Sequence, residues 1–325
     1  MAPAPQKICV ETDWPAHKKG CRDFRNRRLE KKLERITDIL QQVYYIFRKN
    51  TWDVPVAAIM VRGDCVEIHP SLSQEPSFFS KFPDHLPMSE QTRNAIISAF
   101  SCNDPLAYFK DMISASLEGM DVKVEECKAT LGKITQKVVF RTSGEQPVDC
   151  SAFAHEILRI TVPGKRWIID ITGAQFGIHK TLWAWEDYKN KHHAKMGMIY
   201  KLGTNEILVK ALSNVEGLHG MRHTIKEMAA GTLNTAIKEW TGSHHSIAAM
   251  ILKNDDEYEA TKLSFLSSMD VAVRSFVAAN RFETEIRKAL EYELSNPGMS
   301  DKMINTVADV FTLSLFIGSR GRNSR

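Results

Sequence analysis

Cysteine is scarce in this chain, six among 325 residues, and beyond residue 21 its spacing is irregular. That argues against a disulfide-built scaffold and for free thiols in a reducing, intracellular compartment. No apolar run is long enough to span a bilayer. The opening Met-Ala-Pro-Ala-Pro-Gln-Lys lacks the apolar centre of a secretory signal. No P-loop, no G-x-G-x-x-G and no H-E-x-x-H occurs, so nucleotide-dependent and zincin chemistry have no support. Internal repeats and low-complexity tracts are absent. Charge of one sign is not in large excess either: 43 Lys and Arg stand against 39 Asp and Glu, a net charge of +4.

The basic excess gathers in residues 22–35 and in Arg320, Arg322 and Arg325. Such a stretch can contact phosphates. Here it is interleaved at helical spacing with Asp23, Glu30 and Glu34, the pattern of a solvated helix face. With no base-reading motif or stacking aromatics, nucleic acid is not the expected partner.

What is present is ordinary globular material, 43% apolar and 25% charged. Leu29, Leu33, Ile36, Ile39, Leu40, Val43 and Phe47 recur at three- and four-residue steps, predicting one helix over 22–50. Pro55 ends it. A hairpin over 57–69 follows, turning at Arg62-Gly63-Asp64-Cys65. Helices are expected at 89–100 and 104–117, the second with Asp104 as N-cap and Pro105 in its first turn. Strands 122–129, 136–142, 154–162 and 167–171 should form an antiparallel meander. From 205 onward the pattern is helical, including one long helix over 256–294 with Leu263, Leu266, Val273, Phe276, Val277, Ile286 and Leu290 near one stripe. The expected fold is α+β: a helical N-terminal linker (23–50) behind a short module (1–22), an antiparallel sheet domain with helices (51–204) and an all-helical C-terminal region (205–325).

Two constellations carry chemistry. The first is Cys9-Val-Glu-Thr-Asp13-Trp14-Pro-Ala-His17-Lys-Lys-Gly-Cys21. Thiolate and imidazole are ligands that Zn²⁺ prefers, and a structural site needs four. The stretch resembles the C-terminal third of a MYND-type zinc finger, where a Cys precedes D-W-x-x-H-K-x-x-C. In that family two interleaved zinc sites form, so Cys9 would belong to one and His17 and Cys21 to the other. The Cys-x2-Cys pairs that precede it in the family are missing, and Pro5 stands where the family has another Cys. The resemblance implies an ancestral zinc-dependent interaction module. The chain itself is expected not to hold zinc stably.

The second is His155-Glu-Ile-Leu-Arg-Ile-Thr-Val-Pro-Gly-Lys-Arg-Trp167-Ile-Ile-Asp170-Ile-Thr172-Gly-Ala-Gln175-Phe-Gly177. A His opens one strand, a tight turn follows, and an Asp ends the next. An antiparallel pair brings such side chains together, and a carboxylate can then fix the tautomer of the imidazole. This is two thirds of a Cys-His-Asp set. Cys102 is the best thiol, because it precedes a helix start, whereas Cys65, Cys127 and Cys150 are worse positioned. The stretch resembles the His and Asp half of transglutaminase-like, papain-type folds. It also resembles a segment downstream of the finger in fungal MYND-type proteins, a likeness that runs to about Tyr188.

The first function these readings imply is an intracellular interaction or adaptor protein, with a protein partner and a non-catalytic α+β domain. The alternative is a thiol enzyme acting on amide bonds through Cys102, His155 and Asp170. His219 and His223, four apart, could share a metal, but they lack an acidic or Cys partner nearby. His192-His193 and His244-His245 read as solvated. Trp183 and Trp185 read as core contacts over the sheet.

Overall fold

The computed structural model describes residues 5–71, 78–243 and 246–320, with only the backbone path for 5–17, 19, 21–23 and 312–320. Helix α1 (Pro5–Asn50) is one continuous element. Most of the expected stripe is its buried face: Leu33, Ile36, Ile39, Leu40, Val43 and Phe47 are at most 1% exposed and Tyr44 joins them, while Leu29 is half-buried. Each large side chain so buried contributes roughly 1.5–3 kcal/mol. The helix therefore belongs to the core and is not a free linker.

Two sheets lie beyond it. The first joins β1 (Val56–Arg62), β2 (Cys65–Pro70), β4 (Lys137–Phe140) and β5 (Val148–Asp149), with β2 and β4 parallel. The second has the order β8 (Leu182–Ala184), β7 (Lys165–Ile169), β6 (His155–Val162), β3 (Lys123–Thr130), β9 (Lys195–Lys201), antiparallel throughout. The expected meander is thus corrected: β4 leaves its neighbours in sequence and extends the hairpin sheet. Alternation and apolar content mark a strand but do not name its partner. Strand β9 escapes sequence reading, because Gly197 and two lysines dilute its pattern.

The helix α2 (Glu90–Ser98) is capped by Ser89, whose Oγ accepts from Thr92 N at 3.1 Å. The next expected helix is two short ones, α3 (Asp104–Tyr108) and α4 (Lys110–Ser116), broken at Phe109. Its N-cap is Asn103, one residue earlier than predicted. Helix α5 (Trp185–His192) precedes β9, and after β9 the described chain is helical: α6 (Thr204–Ser213), α7 (Leu218–Ser243), α8 (Ile247–Ile251), α9 (Asp255–Ala279), α10 (Glu283–Ser295) and α11 (Met299–Arg320).

The long C-terminal helix is corrected as well. Asn280 adopts a left-handed conformation (φ 42°) and separates α9 from α10. Asn tolerates that conformation better than most residues, so it can serve as a C-cap. The buried stripe of α9 is Tyr258, Lys262, Phe265, Leu266, Met269 and Val273, while Leu263 and Leu290 face solvent. This stripe packs on α1 and α7. Lys262 joins it by burying its stem and pairing with Asp38 at 2.8 Å and Glu259 at 2.7 Å. Arg35 of α1 donates to the carbonyls of Ile251 (2.8 Å) and Lys253 (2.6 Å), satisfying orphan acceptors at the end of α8.

No helix among the described residues is long and apolar enough to cross a membrane.

Candidate active site

Strand β6 starts at His155, and Asp170 follows directly on β7. Their pairing puts Leu158 opposite Ile169, so the two polar residues meet at one end of the hairpin. The β7 run Trp167-Ile168-Ile169 is buried on both faces, and Asp170 is fully buried with it. His155 Nε2 lies 2.8 Å from Asp170 Oδ1. The other carboxylate oxygen accepts from the Tyr188 hydroxyl of α5 at 2.9 Å. His155 is 1% exposed, and its ring meets Phe176 edge-on at 4.9 Å.

Gly173 makes this seat possible. A Cβ there would stand 2.5 Å from Asp170 Oδ2 and 2.9 Å from Ile178 Cβ. The Gly173–Phe176 turn ends at Gly177, whose φ of 76° favours glycine.

Burial of the His155 ring by itself disfavours the imidazolium. The Asp170 charge and hydrogen bond oppose this, with a smaller contribution from Cys102, and together they raise the pKa to about 10. Since Nε2 is committed to Asp170, Nδ1 is the ring nitrogen left for Cys102, and it is buried without a formed hydrogen bond. The Cys102 sulfur instead approaches Asn103 Oδ1 (3.3 Å) and Ala154 O (3.9 Å). His155 and Asp170 are therefore paired as the sequence spacing suggested, while Cys102 reaches the backbone carbonyl next to His155 and forms no hydrogen bond to the ring.

The loop bearing Cys102 is held from both sides. Gln175 Oε1 accepts from Phe100 N at 3.1 Å, and Phe100 sits at φ 56°. Ser101 Oγ donates to Ser98 O at 3.1 Å and is hydrogen-bonded to the Tyr44 hydroxyl of α1. A non-glycine residue at positive φ next to a reactive group is backbone strain that the surroundings must hold.

Cys102 opens onto a cavity of about 510 Å³. Its walls include Phe100, Phe153, Glu156, Tyr200, α6 through Leu208 and Leu212, and α11 through Phe311. That volume lies in the range of small-molecule sites. The other described thiols are poorer nucleophiles. Burial pushes Cys127 and Cys150 up to about 12 and raises Cys65 as well.

No protein-family model, curated protein or solved structure matches this chain.

The remaining sequence candidates separate. The backbone over Cys9, His17 and Cys21 is helical, and their side chains lie outside the described residues. At 1.5 Å rise per residue, a straight helix sets Cys9 and Cys21 about 18 Å apart, too far to share one ion. Among the described residues, no group of three or more His, Cys, Asp or Glu could hold a metal. His219 instead meets Asp301 at 2.6 Å, while His223 lines the cavity, where burial lowers its pKa to about 4. His192, expected to be solvated, is buried against Trp183 and Tyr188, each ring centre 5.1 Å away. His244 and His245 lie outside the described residues. Trp183 and Trp185 are core residues.

Sequence reasoning missed Tyr188, Gln175 and Glu156. Gln175 stood inside the quoted motif, but its polarity alone did not mark it as the tie to the thiol loop.

Proposed function

We propose that this protein is a thiol-dependent acyl-transfer enzyme acting on amide or related acyl bonds. The observation that carries the reading is the buried His155 Nε2–Asp170 Oδ1 contact of 2.8 Å, with Cys102 on a cavity wall and its sulfur 3.9 Å from the carbonyl of Ala154, the residue before His155. A buried histidine held in one orientation by a carboxylate, with its second nitrogen free, is the arrangement that activates a thiol.

In this mechanism His155 is protonated and stabilises the Cys102 thiolate through Nδ1–H. The sulfur attacks the carbonyl carbon, and the C–O π electrons move to oxygen. When the tetrahedral intermediate collapses, the C–N bond breaks and Nδ1 delivers its proton to the leaving amine. The thioester that remains is attacked by water or an incoming amine. Nδ1 takes the proton of that nucleophile, and the thiolate leaves. Asp170 keeps Nε2 protonated throughout, and Tyr188 fixes the carboxylate.

An activated acyl donor, p-nitrophenyl acetate, tests the reading. Wild-type protein should release a burst of nitrophenol and carry one acetyl group on Cys102, located by peptide mass spectrometry. Cys102→Ala and His155→Gln should lose both. Acetylation of Cys102 at the same rate in His155→Gln would refute it.

The adaptor reading, which makes the α+β domain non-catalytic, is the competing one, and it predicts no His155-dependent acetylation of Cys102.

A further inference from the structure

The cavity wall next to Cys102 contains two polar groups that the mechanism does not use. Glu156 is 6% exposed and lines the cavity, and its Oε2 has no hydrogen-bond partner. Tyr200 is 9% exposed and lines the same cavity, and its hydroxyl is also unpartnered. The two come from paired strands: Glu156 stands opposite Lys128 on β6 and β3, and Tyr200 opposite Glu126 on β9 and β3. Residues facing each other across an antiparallel ladder share a face.

The neighbouring charges do not complete the site. Lys128 reaches only Glu156 Oε1, at 3.6 Å, and keeps a third of its side chain in solvent. Glu126 is spent on α6, accepting from Gly203 N (2.7 Å), Asn205 N (2.8 Å) and Asn205 Nδ2 (2.8 Å). His223 contributes no cation, because burial keeps it neutral at physiological pH. A buried carboxylate oxygen and a phenol left unpaired cost free energy unless something fills them. The missing partner must donate hydrogen bonds, and a positive charge suits a carboxylate best.

We propose that this cavity recognises a primary ammonium group on the substrate, held by Glu156 Oε2 and the Tyr200 hydroxyl, beside the acyl group that reacts at Cys102. Burial raises the Glu156 carboxyl to about 7, so an arriving cation would also draw out its proton. The proposal rests on the thiol-enzyme reading and assigns its specificity. Phe100 and Phe153, partly exposed at the same cavity, would cover the apolar part of such a substrate.

Two thiol reagents with one leaving group test it: 2-aminoethyl and 2-hydroxyethyl methanethiosulfonate, followed at the peptide carrying Cys102 in the full-length protein. The expected aminoethyl-to-hydroxyethyl rate ratio in wild type is about tenfold above that in Glu156→Gln, the size of one charge-assisted hydrogen bond. Tyr200→Phe should lower the ratio in the same direction, and it gives a second reading should Glu156→Gln fail to fold. An unchanged ratio in a folded Glu156→Gln or Tyr200→Phe protein would overturn the proposal. Failure of the thiol-enzyme reading would register separately, as rates with both reagents that His155→Gln leaves unaltered.

Discussion

Asp170 occupies space that any side chain at residue 173 would need. Gly173→Ala should therefore push the carboxylate off His155 and cost about 1–3 kcal/mol, the usual range for overpacking. Urea titration would measure the cost, and the reactivity of Cys102 should fall alongside it. The His155–Asp170 pair also predicts a pH dependence. The pKa of His155 is raised from 6.5 to about 10 in the folded state. Its contribution is fully present below about pH 6.5 and is lost as pH rises towards 10. Thermal midpoints of wild type and His155→Gln should converge over that window. A gap that stays constant or widens would show that the ring does not titrate as a partner of Asp170. At this scale the His155–Asp170 contact was legible, because a His-strand-turn-strand-Asp pattern constrains its own geometry. Tyr188 and Glu156 were not. Tyr188 lies 18 residues from its partner, on another element, and nothing in the sequence distinguishes Glu156 from any other charged residue on a strand.

The seat of α6 depends on one carboxylate. Glu126 accepts three hydrogen bonds from residues at the start of that helix, and α6 forms one wall of the cavity. Glu126→Ala would strand those donors, and a loss of roughly 2–4 kcal/mol is expected from chemical denaturation. A loss below about 0.5 kcal/mol, typical of an ordinary surface substitution, would contradict the assigned role. Element existence was readable wherever apolar spacing was strong, as in α1, β6, β7 and α9. Partners and breaks were not. The move of β4 into the hairpin sheet depends on long-range pairing, and the break after Ala279 depends on a single Asn in the left-handed region. Neither leaves a periodic signal.

Across the whole molecule, one apolar core runs from α1 through both sheets to α7 and α9. The C-terminal helix α11 packs on α6 and α7, and its Ala308 and Phe311 reach the cavity. Removing residues 300–325 should lower the thermal midpoint and uncover the cavity beside Cys102. A truncated protein with an unchanged midpoint would mean that α11 is a docking segment and not a closing one. The α+β class and the helical C-terminal region followed from the order of strand and helix patterns. The joining of α1 to that region by Arg35 and Lys262 was not visible, since those contacts span more than 200 residues.

The central claim is that His155, oriented by Asp170, activates Cys102. Its most direct test is the rate at which iodoacetamide alkylates Cys102 at pH 7, read by peptide mass spectrometry in wild type, His155→Gln and Asp170→Asn. The account predicts a wild-type rate above that of free cysteine, with a fall of about tenfold or more in His155→Gln and a smaller one in Asp170→Asn. Equal rates in all three folded proteins would contradict it and leave the His155–Asp170 pair as a structural contact.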